Sequence, residues 1–148
     1  MIKKLQNTDI EVSQKIRSVF QASYAVEAQL LKAFNFPPLK RPLENYRESK
    51  TDFFGFIKKE ELAGVIEINP KDDHTRIASL VIDPHFFRQG IAGQLIEFVF
   101  NAYDSNLFIV ETGLDNGPAV GLYKKFGFIE VTQWDTDFGI RKIRLERR

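Results

Sequence analysis

The 148-residue sequence predicts an α+β (mixed α/β) fold with one central sheet and helices around it. Three observations carry that prediction. Apolar residues recur at helical spacing near the N-terminus. After residue 52 they fall instead into short alternating or continuous runs. A strand–helix–strand crossover in the middle then requires a parallel pair inside a mixed sheet.

Residues 9–32 read as one or two helices, with Ile16, Val19, Phe20, Tyr24, Leu30 and Leu31 at roughly helical spacing. FNFPPLKRPL, residues 34–43, holds three of the six prolines and reads as a loop, because proline blocks helix continuation. Residues 44–49 add a short helix. DFFGFIKKEELAGVIEINP reads as a hairpin, with strands near 53–57 and 62–68 around a charged turn at 58–61. RIASLVIDP is largely apolar, so that strand is expected to be covered on both faces.

A helix follows over about 90–103, then the buried strand LFIVET at 107–112. The next helix runs over about 118–126, with Pro118 near its start and Gly127 just past its end. FIEVTQWD and FGIRKIRLER close the chain as a hairpin. No internal repeat, low-complexity tract or linker divides the sequence, so residues 1–148 read as a single domain.

Composition removes several functions. A net charge of +1 lacks the basic excess of a nucleic-acid binder, so the fourteen Phe read as packing rather than base stacking. The absence of Cys excludes disulfides, thiolate metal sites and cysteine nucleophiles. His74 and His85 stand alone, and no metal site is expected. No run approaches a membrane span, and MIKKLQNTDIEVSQ has no apolar leader core, so a cytoplasmic protein is the default expectation.

The stretch FFRQGIAGQLIEFVF, residues 86–100, follows the strand RIASLVIDP and opens a helix. That context suits a phosphate: small residues allow close approach, and free N–H groups at the helix start point at the anion. The spacing is not GxGxxG with an acidic residue about 20 positions on, and no GxxxxGK[ST] is present.

At these residues the chain resembles the GNAT superfamily of acyl-CoA-dependent N-acetyltransferases. In that family a strand ending in a V-x-P-like segment precedes [QR]-x-x-G-x-[GA], whose amides hold the CoA pyrophosphate. Here the segment is VIDPHFFRQGIAGQL: Gly90-Ile91-Ala92 matches G-x-[GA], and Phe87 stands at the [QR] position. The family's N-x-x-A-x-x-[LF]-Y-x-x-x-G-F appears as NGPAVGLYKKFGF, residues 116–128, with every specified position matched. The likeness is close over about residues 75–128, and the N-terminal third shares only a helix-then-strand pattern.

The resemblance implies a mostly antiparallel mixed sheet flanked by helices, with a parallel pair splayed at the CoA site. It implies acetyl-CoA as co-substrate, no metal, and transfer to a primary amine of a small molecule, amino acid or peptide. A non-catalytic acyl-CoA-binding or regulatory domain of the same fold is the alternative. Arg88, Gln89, Gly90, Ile91, Ala92 and Gly93 would form the phosphate cradle. Leu80, Val81 and Ile82 would present a main-chain edge to the pantetheine, and Asn116 would bond or orient it. Tyr123 would supply a proton to the leaving thiolate. Asn116 also suits an N-cap, and Tyr123 a core position.

Two glutamates are candidates for the general base. Glu111 lies on LFIVET, on the face of Leu107 and Ile109 and partly buried. Glu67 lies in VIEI, where it also reads as an exposed strand charge. A water relay without a single base is a third route. Other family members place a glutamate where this chain has Arg76. Tyr24, Glu27 and Phe36 are candidate acceptor walls, with Glu27 able to attract an ammonium. The amphipathic pattern of the helix accounts for Tyr24 and Glu27 as well. A monomer or a homodimer is expected, the C-terminal strands being one route to pairing.

Overall fold

Asp9 starts the first long helix by accepting from the amides of Glu11 and Val12 at 2.9 and 3.1 Å. That helix, α1 (Ile10–Leu31), is continuous and ends at Lys32 in the left-handed region. The computed structural model describes all residues, 1–148. After α1 come a 3₁₀ turn (Pro37–Lys40), α2 (Leu43–Glu48), β2 (Asp52–Lys58), β3 (Glu61–Pro70) and β4 (Thr75–Ile82). The 3₁₀ turn Pro84–Phe86, α3 (Ile91–Ala102), β5 (Phe108–Gly113), α4 (Gly117–Lys125), β6 (Ile129–Asp135) and β7 (Arg141–Arg147) complete the chain.

One strand escapes the sequence reading. β1 (Ile2–Leu5) pairs antiparallel with β2 at the sheet edge, and four residues with two lysines are too short to show a period. The seven strands run in the order β1-β2-β3-β4-β5-β7-β6. All neighbours are antiparallel except β4 and β5, the parallel pair that the crossover demanded. The C-terminal hairpin inserts its second strand beside β5, leaving β6 at the edge.

Both faces of the sheet are packed. On one, Leu95, Ile96 and Val99 of α3 and Tyr123 of α4 cover Ile66, Ile68, Ile77 and Val110. On the other, Ile16, Val19 and Phe20 of α1 cover Phe53, Val65 and Val81. Leu31, at the end of α1, occupies the place a side chain on Gly113 would need, 2.6 Å from its ideal Cβ.

One irregularity shapes the middle. Glu67 pairs with Ser79 and Ile68 with Ile77, so Ala78 has no partner on β3. The extra residue changes which face follows: Ile77 packs with α3, whereas Val81 packs with α1. Pairing between β4 and β5 covers residues 75–77 against 108–110 and ends at the same point. Beyond it the two strands separate.

The proline-rich segment is tied to the sheet by a buried ion pair. Arg41 donates to Glu67 Oε1 and Oε2 at 2.8 and 3.1 Å, and its guanidinium lies 4.1 Å from the Tyr46 ring centroid. Thr51 and Ser79 donate to the same carboxylate at 2.7 and 3.2 Å. Glu67 is only 3% exposed, so it is not the exposed strand charge that alternation allowed. Glu67→Ala would leave Arg41 charged and unpaired. We expect it to lower stability by about 3–5 kcal/mol, measured as a lower urea midpoint at unchanged m-value.

Candidate active site

Where β4 and β5 part, the fold encloses a cavity of about 410 Å³. Residues 78–80 of β4 and 111–113 of β5 line its two sides. Tyr24 and Glu27 reach it from α1, Phe36 and Arg41 from the proline-rich segment, and Asn116 and Tyr123 from α4.

The open edge of β4 follows from strand alternation. Asp83 donates to Ala63 O at 2.8 Å, and Val81 stands opposite Val65, so these two residues direct their main-chain groups to β3. Leu80 and Ile82 therefore turn theirs toward the cleft. Val81, expected at that edge, is instead laddered to β3 and buried in the α1-side core. The Ile82 amide meets the Ser23 hydroxyl of α1 at 3.4 Å. Leu80 alone of the three lines the cavity.

At the start of α3 the main chain is bare. Gly90 is the N-cap residue with φ 75°, and no side chain caps the helix. A Cβ at Gly90 would touch nothing within 4 Å. Gln94 is the residue whose amide reaches back to Gly90 O, so those of Ile91, Ala92 and Gly93 have no helical acceptor. The other two α-helices longer than two turns differ: Asp9 caps α1 and Asn116 caps α4, while the short α2 follows Pro42 without a side-chain cap. An uncapped N-terminus approached from open space fits a bound phosphate.

Gly93 contributes more than an amide. Its ideal Cβ would lie 2.9 Å from the Phe126 ring, so the glycine also lets α3 and the end of α4 close together. Arg88 turns the chain with φ 62°. The Gln89 carboxamide accepts from Lys58 Nζ, which brings a cation from the β2–β3 turn to this end. Phe87, at the family's polar position, is 41% exposed and lines the cavity.

The carboxylates are sharply distinguished by their partners. Glu111 is gripped by Arg76 at 2.9 Å, with Arg144 at 3.7 Å from its other oxygen. Glu67 has four donors. Glu27 has no cation in contact: Asn116 Nδ2 donates to its Oε1 at 3.0 Å and Thr112 Oγ1 at 3.4 Å, and Oε2 has no protein donor. Burial pushes the Glu27 carboxyl above its ordinary value, the two hydrogen bonds and the charge of Lys142 opposing it.

Asn116 is thus doubly engaged. Its Oδ1 accepts from the Ala119 amide at 3.3 Å while its Nδ2 donates to Glu27, which ties α4 to α1. Tyr123 is 5% exposed, lines the cavity, and stacks edge-on to Phe128 at 5.5 Å. Burial, then the nearby Tyr24 and Glu27, hold its phenol protonated far above the usual tyrosine range. Tyr24 is raised likewise, chiefly by burial, and packs between Phe20 and Phe36 at 5.8 Å from each. No group of three His, Cys, Asp or Glu side chains is placed to hold a metal ion, and no helix is long and apolar enough to cross a membrane.

A splayed parallel pair and a tyrosine from α4 meet in one cleft, and an uncapped helix follows the first strand of that pair. The model of the Acetyltransferase (GNAT) family matches residues 15–128. The chain belongs to the GNAT family. It is also 31% identical over 129 residues to the UPF0157 protein YqkA of Bacillus subtilis (strain 168). That match takes in 86% of this chain but 38% of YqkA, so the chain spans well under half the length of that relative.

Solved structures share the fold at low identity. The ribosomal-protein-S18-alanine N-acetyltransferase of Escherichia coli superposes with a TM-score of 0.77 at 18% identity, covering 99% of this chain and 92% of its own. PaiA N-acetyltransferase of Thermoplasma acidophilum, in complex with coenzyme A, gives 0.76 at 18% identity, covering 100% and 98%. A GNAT acetyltransferase of Elizabethkingia anophelis with acetyl-CoA bound gives 0.65 at 22%, covering 80% and 87%. Of the GNAT motif residues, Asn116, Ala119 and Tyr123 line this cleft, and Phe87 lines it just ahead of the Gly90 turn. Ser23, Thr112 and Lys142 carry no motif, and only the fold brings them to it.

The raised Glu27 carboxyl makes a signed prediction. Its contribution to stability is present below the unfolded carboxylate value, about 4.3, and is lost as pH rises through the higher folded value. Glu27→Gln keeps an acceptor for Asn116 and Thr112 without the charge. Its melting temperature relative to the wild type should therefore climb from about pH 4 upward and level off above the folded pKa, measured by thermal melts across pH.

Proposed function

We propose that residues 1–148 form one catalytic domain, an acetyl-CoA-dependent N-acetyltransferase acting on a primary amine. One observation carries this reading: the Tyr123 phenol and the Glu27 carboxylate line the same cleft as the open edge of β4. Acetyl-CoA, when bound, supplies an activated acetyl thioester. The α3 amides of Ile91, Ala92 and Gly93, with Gly90, would hold its pyrophosphate, and Lys58 and Arg88 stand on hand for its charge. The main chain of Leu80 would hold the pantetheine arm as an added strand does.

A primary ammonium near pKa 10.4 must lose a proton, which at pH 7 costs about 4–5 kcal/mol. Glu27 is the residue we assign to take it. Glu111 and Glu67 are each held in an ion pair with an arginine, so their oxygens already fasten elements of the fold together. Glu27 has a free oxygen and a raised pKa, which brings it closer to the working pH. Asn116 and Thr112 orient it. Tyr123, protonated throughout the neutral range, donates to the leaving sulfur. The acceptor enters between α1 and the proline-rich segment, past Tyr24 and Phe36.

The test is a set of three variants assayed across pH. Tyr123→Phe should lower kcat by about 10²–10⁴-fold while CoA still raises the melting temperature by mass action. For the wild type, kcat/KM should rise with pH through a value above the ordinary carboxylate range. Glu27→Gln should abolish that limb and Glu111→Gln should retain it. A limb that survives Glu27→Gln removes Glu27 as base. Absence of any melting shift at millimolar CoA removes the reading as a whole.

A further inference from the structure

Of the charged side chains lining the cavity, only Glu27 and Lys142 make no contact ion pair within the protein. Arg41 is neutralised by Glu67 and Arg76 by Glu111. Lys142 alone among the cavity's cations makes no ion pair. It lies on β7 opposite Gly113, the residue after the threonine that donates to Glu27, so its ammonium and the Glu27 carboxylate serve the same end of the cleft.

The rest of that end is apolar. Phe36 is buried in the wall, while Leu30 and Phe138 border the cavity at 44% and 41% exposure. Half-exposed apolar residues around a cavity gain by covering an apolar group of a ligand. The acceptor end thus presents one anion, one unpaired cation and an apolar rim. A polyamine or aminoglycoside would bring further positive charges, and nothing in this lining draws them in. A molecule carrying an amine, a carboxylate and an apolar group matches all three features.

We propose that the acceptor is a free α-amino acid with an apolar side chain, its carboxylate held by Lys142, its amine beside Glu27 and its side chain against Leu30, Phe36 and Phe138. This rests on the acetyltransferase reading above. In the reaction the amine nitrogen forms a bond to the acetyl carbon and the carbon–sulfur bond breaks. One amine proton passes to Glu27 and on to solvent, and the sulfur receives a proton from Tyr123, which a second amine proton restores. The products are an N-acetyl amino acid and CoA thiol.

Acetyl-CoA consumption is measured with L-phenylalanine, L-leucine, L-phenylalaninamide and spermidine, using the wild type and Lys142→Gln. In the wild type, kcat/KM for phenylalanine should exceed that for its amide by about 10–100-fold, the range of a hydrogen bond to a charged group. Lys142→Gln should bring that ratio to within about threefold of unity, with the fold of the variant checked by circular dichroism. An amide used as well as the acid would indicate a peptide N-terminus and overturn the proposal, as would spermidine being the best acceptor. No turnover of either amino acid by a protein whose melting temperature still rises with CoA overturns the amino-acid assignment alone. Absence of both turnover and the melting shift removes the acetyltransferase reading with it.

Discussion

Ala78 is one residue more on β4 than β3 can pair, and the cleft depends on it. Register shifts also occur between β2 and β3 and between β6 and β7, but the one at Ala78 falls where β4 leaves β5 after three parallel pairs. The release has two consequences. Main-chain groups at Leu80 and Ile82 are left without a strand partner, and a gap opens through which α1 and α4 present side chains to each other. The face change at the bulge also puts Ser79 and Val81 toward α1, where Ser79 helps to hold Glu67. A β-bulge beside a site is a common device for re-aiming a strand. Here it separates the core above α3 from the core under α1.

The second organising fact is how unequally the acidic side chains are treated. Glu67 and Glu111 are each bound to arginine, and both serve to fasten elements together: the proline-rich segment to β3, and β4 to β5 and β7. Glu27 is kept away from cations and given two neutral donors on a single oxygen. Desolvation then dominates its titration. Tyr123 is raised in the same environment, chiefly by burial and partly by Tyr24 and Glu27.

Local pattern made much of this legible. The helical period of residues 9–32, the hairpin around Lys58–Lys59 and the crossover through α3 all match the observed elements within a few residues. The two glycine-bearing motifs mark the turn at Gly90 and the helix carrying Tyr123, because such spacings encode backbone geometry within one or two turns. β1 was missed because four residues carry no period. The roles around Glu111, Glu67 and Asn116 were not legible for a different reason. Arg76 and Glu111 are 35 residues apart, and Asn116 and Glu27 are 89 apart. No periodicity links such positions.

The sequence by itself determined the element order, the mixed sheet with one parallel pair, and the two motifs that mark the family. Those are properties of short segments, set by side-chain period, proline and glycine. Only the tertiary structure decided which glutamate stands free in the cleft, that Val81 faces β3, and that Lys142 joins the site. These depend on strand register and on which side chains meet across the sheet. A one-residue bulge is enough to change both.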